Sequence, residues 1–214
     1  MAARDRMERA IPAQGVAPPI AMVEIPPPEG RLRWDLVLAE HMLTRKWTLA
    51  LGLVAVLVTL DLLTKSWALQ ALAGGRGREI LGGLVPLTLA FNRGAAFSLT
   101  IGEDPRWIFV PITIGAVVFL VYMIHQAAPG DRLRVYSASL VLAGALGNLY
   151  DRIRWDRGVV DFIGPINLGF TLFPIFNVAD MAITCGAILL GISFWKEDRE
   201  LRRAGGEPDP DRAG

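Results

Sequence analysis

Cysteine is nearly absent from this 214-residue chain, with Cys185 the single example, set inside an apolar run. One thiol closes no internal disulfide and supplies no thiolate set for a metal, so Cys185 is read as a small packing residue. Histidine is almost as scarce. His41 and His125 leave Ser-His chemistry and His-ligated zinc almost nothing to work with, and both are read as surface or interfacial residues. A basic excess is missing as well: the formal net charge is +1 and the arginines are scattered among acids, which provides no face for nucleic acid. Internal repeats and low-complexity arrays are also lacking.

Apolar residues, by contrast, make up 52% of the chain against 20% charged, and they are gathered into long runs. That balance describes a membrane protein. A crossing of the roughly 30 Å hydrocarbon core needs about 20 apolar residues, and the runs predict spans over 47–71, 107–126, 133–153 and 174–195, the last with Pro174 as its first helical residue. The short AAPGDR turn makes the second and third spans an antiparallel pair. Residues 1–30, with Pro18-Pro19 and Pro26-Pro27-Pro28, are expected to be disordered. Over 31–46, Leu32, Leu36, Ala39 and Leu43 recur at helical spacing, which suits an amphipathic helix at the membrane surface as well as a solvated linker. Residues 196–214 form a tail. The connection 74–105, with Gly74-Gly75, Gly82-Gly83 and Pro86, reads as two or three short strands, and a loop of that length is usually functional. A second loop covers 154–173. Ala71-Leu72-Ala73 has the look of a signal-peptide cleavage site, but the segment before it is too long, and Asp61 and Lys65 interrupt the apolar region.

Lys and Arg set the orientation. Arg31, Arg33, Arg45 and Lys46 precede the first span, Arg132 and Arg134 lie between the second and third, and Lys196, Arg199, Arg202 and Arg203 follow the fourth. With an even number of spans these share one face. The other face carries Arg76, Arg78, Arg93, Arg154 and Arg157, a weaker set. The expected fold is therefore an all-α membrane protein of four transmembrane helices, both termini cytoplasmic, with two elaborate extracytoplasmic loops.

Asp61, Lys65, Asn148, Asp151, Arg152, Asp161, Asn177 and Asp180 all fall at or near that outer boundary. Ionisable groups in spans cost several kcal/mol unless paired or hydrated, so a ring of them at one depth marks a candidate site. Asp61 and Lys65, at i, i+4, fit a self-contained ion pair, and Asp151 with Arg152 fits a helix-end pair. These pairings leave no cation in the spans for Asp161, placed in a loop, or for Asp180 on the last helix. Two carboxylates brought together cannot both ionise easily: one keeps its proton and the other acts as base, a state suited to activating water against a carbonyl. Asn148 and Asn177 are candidates to orient them. A Ser/Lys mechanism would need Lys65 with Ser66 or Ser98, but adjacent helical side chains diverge.

The segments DLLTK (Asp61–Lys65), FNRGAAFSL (Phe91–Leu99), GALGNLYDR (Gly144–Arg152), GVVDFI (Gly158–Ile163) and FNVAD (Phe176–Asp180) occur in that order over residues 47–195. In this the chain resembles the lipoprotein signal peptidases, the type II signal peptidases of bacteria. The resemblance implies an intramembrane aspartic endopeptidase of the bacterial cytoplasmic (inner) membrane, working at the extracytoplasmic face. It would cut signal peptides from diacylglyceryl-modified prolipoproteins just before the lipidated cysteine. It implies Asp161 and Asp180 as the catalytic pair, with Asn92, Gly94, Ala96, Asn148, Asp151, Arg152, Asn177 and Ala179 shaping the site, and Asp61 and Lys65 as a supporting pair. It further implies a small β-sheet platform formed by the first loop, membrane lipids as surroundings, globomycin-type peptide inhibitors, and no metal or other cofactor. The competing class is a non-enzymatic polytopic protein, a proton or ion transporter or a scaffold. Acids at only one interface argue against a conduction path.

Overall fold

The computed structural model describes residues 29–94, 106–128 and 130–205. Two compact units are distinguished, 1–37 and 38–214; the described part of the first, 29–37, is helical, and the second holds every other described residue. The tail expected to be disordered lies almost wholly outside the described residues, as do Ala96 and Ser98.

Four α-helices carry the fold among the described residues: α1 (Glu29–Ala71), α2 (Arg106–Gln126), α3 (Arg132–Arg154) and α4 (Val178–Ala204). No boundary falls at residue 46, so the separate helix expected over 31–46 belongs to α1. Among the described residues three segments are long and apolar enough to cross a membrane: His41–Ala71, Arg106–Gln126 and Val178–Ala204. The third expected span, α3, is helical but is not among them. Its polar and small residues face inward, with Ser137, Ser139, Asn148 and Asp151 buried beside Ala138, Ala143, Gly144 and Gly147. Ser137 and Ser139 return their hydroxyls to Leu133 O and Val135 O at 2.8 and 2.7 Å, which satisfies them within the helix. α3 starts at an Asp131 cap, whose side chain accepts from Arg134 N.

Small residues let helices approach closely where lipid removes any hydrophobic drive for association. At Gly186 of α4, an added Cβ would lie 2.8 Å from the Leu140 Cβ of α3. Away from these seams the helices present Leu51, Val56, Leu63, Ile112, Val118 and Ile188 outward, the surface expected of a body solvated by acyl chains. Cys185 lies on that outer surface rather than in the packing, because its helical neighbours Ala182 and Gly186 take the buried stripe of α4. His41 and His125 are exposed.

The connections after α1 and α3 build a three-stranded antiparallel sheet in the order β1 (Arg78–Ile80), β2 (Val85–Asn92) and β3 (Val159–Ile163). The first two strands come from the connection read as strand-forming. The third comes from the loop after α3, so Asp161 stands in a strand, opposite Ala90, and not in a loop. Phe162 and Leu87 pack on Ala68 and Leu72 at the end of α1, with Trp67 edge-on to Phe162 at 6.2 Å. β4 (Ile166–Asn167) and β5 (Leu172–Phe173) form a second small hairpin.

The last helix begins later than Pro174. Residues 174–176 stay extended, Phe176 exchanging backbone hydrogen bonds with Ile163 at 2.9 and 3.0 Å, and Asn177 caps α4. The reason is local. Asn177 Oδ1 accepts from Asp180 N at 2.9 Å while Asp180 Oδ2 accepts from Asn177 N at 3.2 Å, a reciprocal capping box. α4 also runs on to Ala204, past the expected end near 195, with Arg202 paired to Asp198 one turn back.

Candidate active site

Each element delivers one to three polar side chains to a single cluster: Asp61 and Lys65 from α1, Asn148, Asp151 and Arg152 from α3, Asp161 from β3, and Asn177 and Asp180 from the start of α4. All eight residues singled out at the expected outer boundary converge here, and their pairing differs from the expectation in two respects.

Lys65, 2% exposed, is the hub of the lower layer. Its ammonium lies 2.8 Å from Asp61 Oδ2, 3.0 Å from Asp151 Oδ2 and 3.0 Å from Asn148 Oδ1, which accounts for its three hydrogens. Asp61 and Lys65 are thus not self-contained, and Asp151 pairs with Lys65 rather than with Arg152. Neighbouring helical residues point to different sides of the helix, which separates Asp151 from Arg152. The two carboxylates also fix backbone: Asp61 Oδ1 accepts from Ala179 N at 2.9 Å, and Asp151 Oδ2 from Val160 N at 3.1 Å. Ala179 precedes Asp180 and Val160 precedes Asp161, so the ion cluster grips the chain one residue before each candidate acid. With Lys65 committed three ways and Ser66 exposed on the far side of the turn, the Ser66/Lys65 pairing has no geometry.

The upper layer is built of carboxamides. Asn177, fully buried, directs Nδ2 at Asp161 Oδ1 at 2.7 Å, with Asn148 Oδ1 at 3.1 Å and Val160 O at 3.3 Å also in reach. Asn148 Nδ2 donates to Asp180 Oδ1 at 2.8 Å. Asp161 and Asp180 are therefore connected through two asparagines, and each carboxylate keeps an oxygen not engaged by that relay. Asn92 on β2 supplies a further side-chain hydrogen bond to Asp161. Asp161 is buried, and burial together with the nearby Asp180 charge pushes its carboxyl from 3.8 up to about 6, against the pull of Asn92, Asn177 and Lys65. Asp180 is only half-buried, which leaves the pair reachable from one side.

Arg152 stands over the Phe109 ring at 5.6 Å, with the charges of Asp180, Asp161 and Asp151 all acting on it. Gly94 closes the same corner. Its φ of +105° is glycine territory, and a Cβ there would run into the Phe109 ring. Phe109 and Gly147 are site residues that motif reading did not single out. A Cβ on Gly147 would meet Asp61 Oδ2 at 2.5 Å, so the glycine makes room for the ion cluster. Its signal is the Gly144/Gly147 spacing ahead of Asn148.

Apolar helices of membrane-crossing length, carrying at one end a buried lysine-centred ion cluster beneath two aspartates joined by asparagines, define a membrane-embedded enzyme with a carboxylate site. Comparison with known proteins makes the class specific. The sequence model of the family described as signal peptidase (SPase) II matches residues 53–196. The lipoprotein signal peptidase of Streptococcus pyogenes serotype M5 (strain Manfredo) is 38% identical over 143 residues, covering 67% of this chain and 90% of that protein. The one from serotype M6 (strain ATCC BAA-946 / MGAS10394) is 37% identical over the same length. Two solved structures, each titled as a bacterial membrane enzyme determined by the in meso method, superpose with TM-scores of 0.62 and 0.61 at 33% and 34% identity. The first match covers 71% of this chain and 90% of the other. The chain belongs to the signal peptidase II family and is an aspartic peptidase.

Proposed function

We propose that this peptidase removes the signal peptide from diacylglyceryl-modified prolipoproteins, cutting before the lipidated cysteine, with Asp161 and Asp180 as its catalytic pair. The observation that carries the reading is the relay Asp161–Asn177–Asn148–Asp180, which links two carboxylates at one end of the helices. The raised carboxyl of Asp161 suits the member that holds the proton. Asp180, as carboxylate, takes a proton from water while the water oxygen attacks the scissile carbonyl carbon. Asp161 donates its proton to the carbonyl oxygen, giving a neutral tetrahedral diol. Collapse breaks the C–N bond, the nitrogen taking the proton from Asp180 and the diol returning one to Asp161. The pair titrates as a unit. Arg152 and the amides of Asn148 and Asn177 hold the charge distribution fixed through the cycle.

Four crossings fit this chemistry. α3 would cross inside the bundle, its polar groups met by α1, β3 and α4, and both termini would face the cytoplasm of a bacterial inner membrane with the aspartates at the opposite face. Lipidated substrate would then enter sideways from the bilayer. The transporter or scaffold alternative is weakened by family membership and by the gathering of buried acids at one end of the helices.

The test is cleavage of a diacylglyceryl-modified prolipoprotein by purified wild type, Asp161→Asn and Asp180→Asn, followed by gel shift. Both variants are expected to lose on the order of 10³-fold or more in rate while staying folded. Near-normal rates in either variant would end the dyad mechanism. A wild type that never cuts a verified lipidated substrate would end the substrate assignment.

A further inference from the structure

A second basic cluster lies at the other end of the helices. Lys46 on α1 is 4% exposed, and its ammonium donates to His125 O at 2.9 Å and to Ala127 O at 3.0 Å, carbonyls at the end of α2. Both acceptors are neutral, and no carboxylate among the described residues pairs with it. An ammonium has three hydrogens, so one remains. Beside it is a cavity of about 110 Å³, lined by Lys46 with Arg45 and Arg132 and by the apolar surfaces of Met42, Leu49 and Tyr136. Arg45 and Arg132 are exposed, and neither is ion-paired among the described residues. Asp131, next in sequence to Arg132, is engaged by Arg134, accepting from its backbone N at 3.0 Å and lying 3.3 Å from its Nε.

Three positive charges therefore line one cavity with no acid among its described lining residues, and the buried one, Lys46, is costly until it is paired. The space is several times the roughly 10–15 Å³ that admits a single water, so it accepts a polyatomic anion. The site is also amphipathic, since Met42 and Leu49 are 47% and 37% exposed beside it. At ~1.5 Å per residue Lys46 lies ~22 Å along α1 from Asp61, which sets the cavity near the leaflet opposite the aspartates. We infer that this cavity binds the phosphate headgroup of an anionic glycerophospholipid. Arg45 and Arg132 clamp the phosphate with their planar forks, Lys46 donates its third hydrogen, and the acyl chains lie along Met42 and Leu49. This site is independent of the proposed peptidase chemistry.

The test uses the full chain, purified in a zwitterionic detergent and followed by native mass spectrometry while phosphatidylglycerol, phosphatidylcholine or inorganic phosphate is added. Wild type is compared with Arg45→Gln/Arg132→Gln, whose exposed, unpaired side chains leave the Lys46 cap in place, and with Arg76→Gln/Arg78→Gln at the other end. Wild type is expected to retain phosphatidylglycerol over phosphatidylcholine, and Arg45→Gln/Arg132→Gln to bind it about thirtyfold more weakly, the loss of two near-surface cations. Arg76→Gln/Arg78→Gln should match wild type, and inorganic phosphate should not compete at equal concentration. Equal phosphatidylglycerol binding by wild type and Arg45→Gln/Arg132→Gln would overturn the inference. So would equal retention of phosphatidylcholine, or displacement by inorganic phosphate alone, which would mark a small-anion site.

Discussion

Removing the lysine at the centre of the ion cluster should unsettle the protein more than removing either candidate catalytic acid. In Lys65→Met, Asp61 and Asp151 lose an ammonium at 2.8 and 3.0 Å, and Asn148 Oδ1 loses a donor at 3.0 Å, all in a region the solvent does not reach. Breaking a buried pair from one side costs about 3–5 kcal/mol, because it strands a charge; here two are stranded, each still accepting a single backbone N–H, from Ala179 and Val160. For a chain of this size, 3–5 kcal/mol corresponds to a fall of roughly 6–20 °C in melting temperature. The assay is thermal unfolding in detergent, read by tryptophan fluorescence and by residual cleavage after heating. A second variant, Asp61→Asn/Lys65→Met/Asp151→Asn, keeps acceptors for Ala179 N and Val160 N while removing all three charges, and should recover most of the lost stability. If Lys65→Met melts within about 2 °C of wild type, or if neutralising both acids fails to restore it, stranded charge is not what holds this layer together.

Asn177→Ser keeps an N-cap oxygen but loses the Nδ2 donor to Asp161, so stability should change by less than about 1 kcal/mol while cleavage falls on the order of 10²-fold. Asn177→Ala should show the same activity loss with added destabilisation of about 1 kcal/mol. Gly147→Ala drives a methyl against Asp61 Oδ2 at 2.5 Å, and thermal unfolding should register a loss of about 1–3 kcal/mol together with reduced activity. The raised carboxyl of Asp161 means the folded state holds this proton more tightly than the unfolded chain, so its contribution to stability is fully present below pH 3.8 and is lost as pH rises through about 6. That shift corresponds to about 3 kcal/mol. Asp161→Asn should therefore be more stable than wild type at pH 7, by up to that amount, with the difference vanishing near pH 4; a difference independent of pH would refute the assignment.

The apolar runs and the five ordered motifs made the helical elements and the whole polar cluster legible, because run length and ionisable residues in apolar surroundings are one-dimensional signals. What they could not carry was partnership across distant segments. Lys65 sits among motifs that hold four acids, Asp61, Asp151, Asp161 and Asp180, and only the approach of α3, through Gly147, decides that Asp151 shares it with Asp61. Asp161 reads as a loop residue because β3 finds its partner about 70 residues earlier, at Ala90. Pro174 is a fair first helical residue in isolation, yet Asn177 wins the start of α4 through its reciprocal bonds with Asp180. α3 reads as a span by its length, while its inward serines and small residues make it the least lipid-like of the four helices. Cys185 reads as a packing residue because its segment is apolar, but a run that is apolar all round does not disclose which face is outside.

The joining of β2 to β3 bears on biogenesis. Asp161 is aligned by a strand made early in the chain, Asp180 by a helix made last, and the two are linked by Asn148 from the helix between. A polypeptide released from the ribosome short of α4 would lack Asn177 and Asp180, and one nicked between β2 and α3 would loosen the strand that aligns Asp161. If the proposed pair is the catalytic one, hydrolytic competence would switch on only once the final helix is in place, because Asn177 and Asp180 arrive with α4.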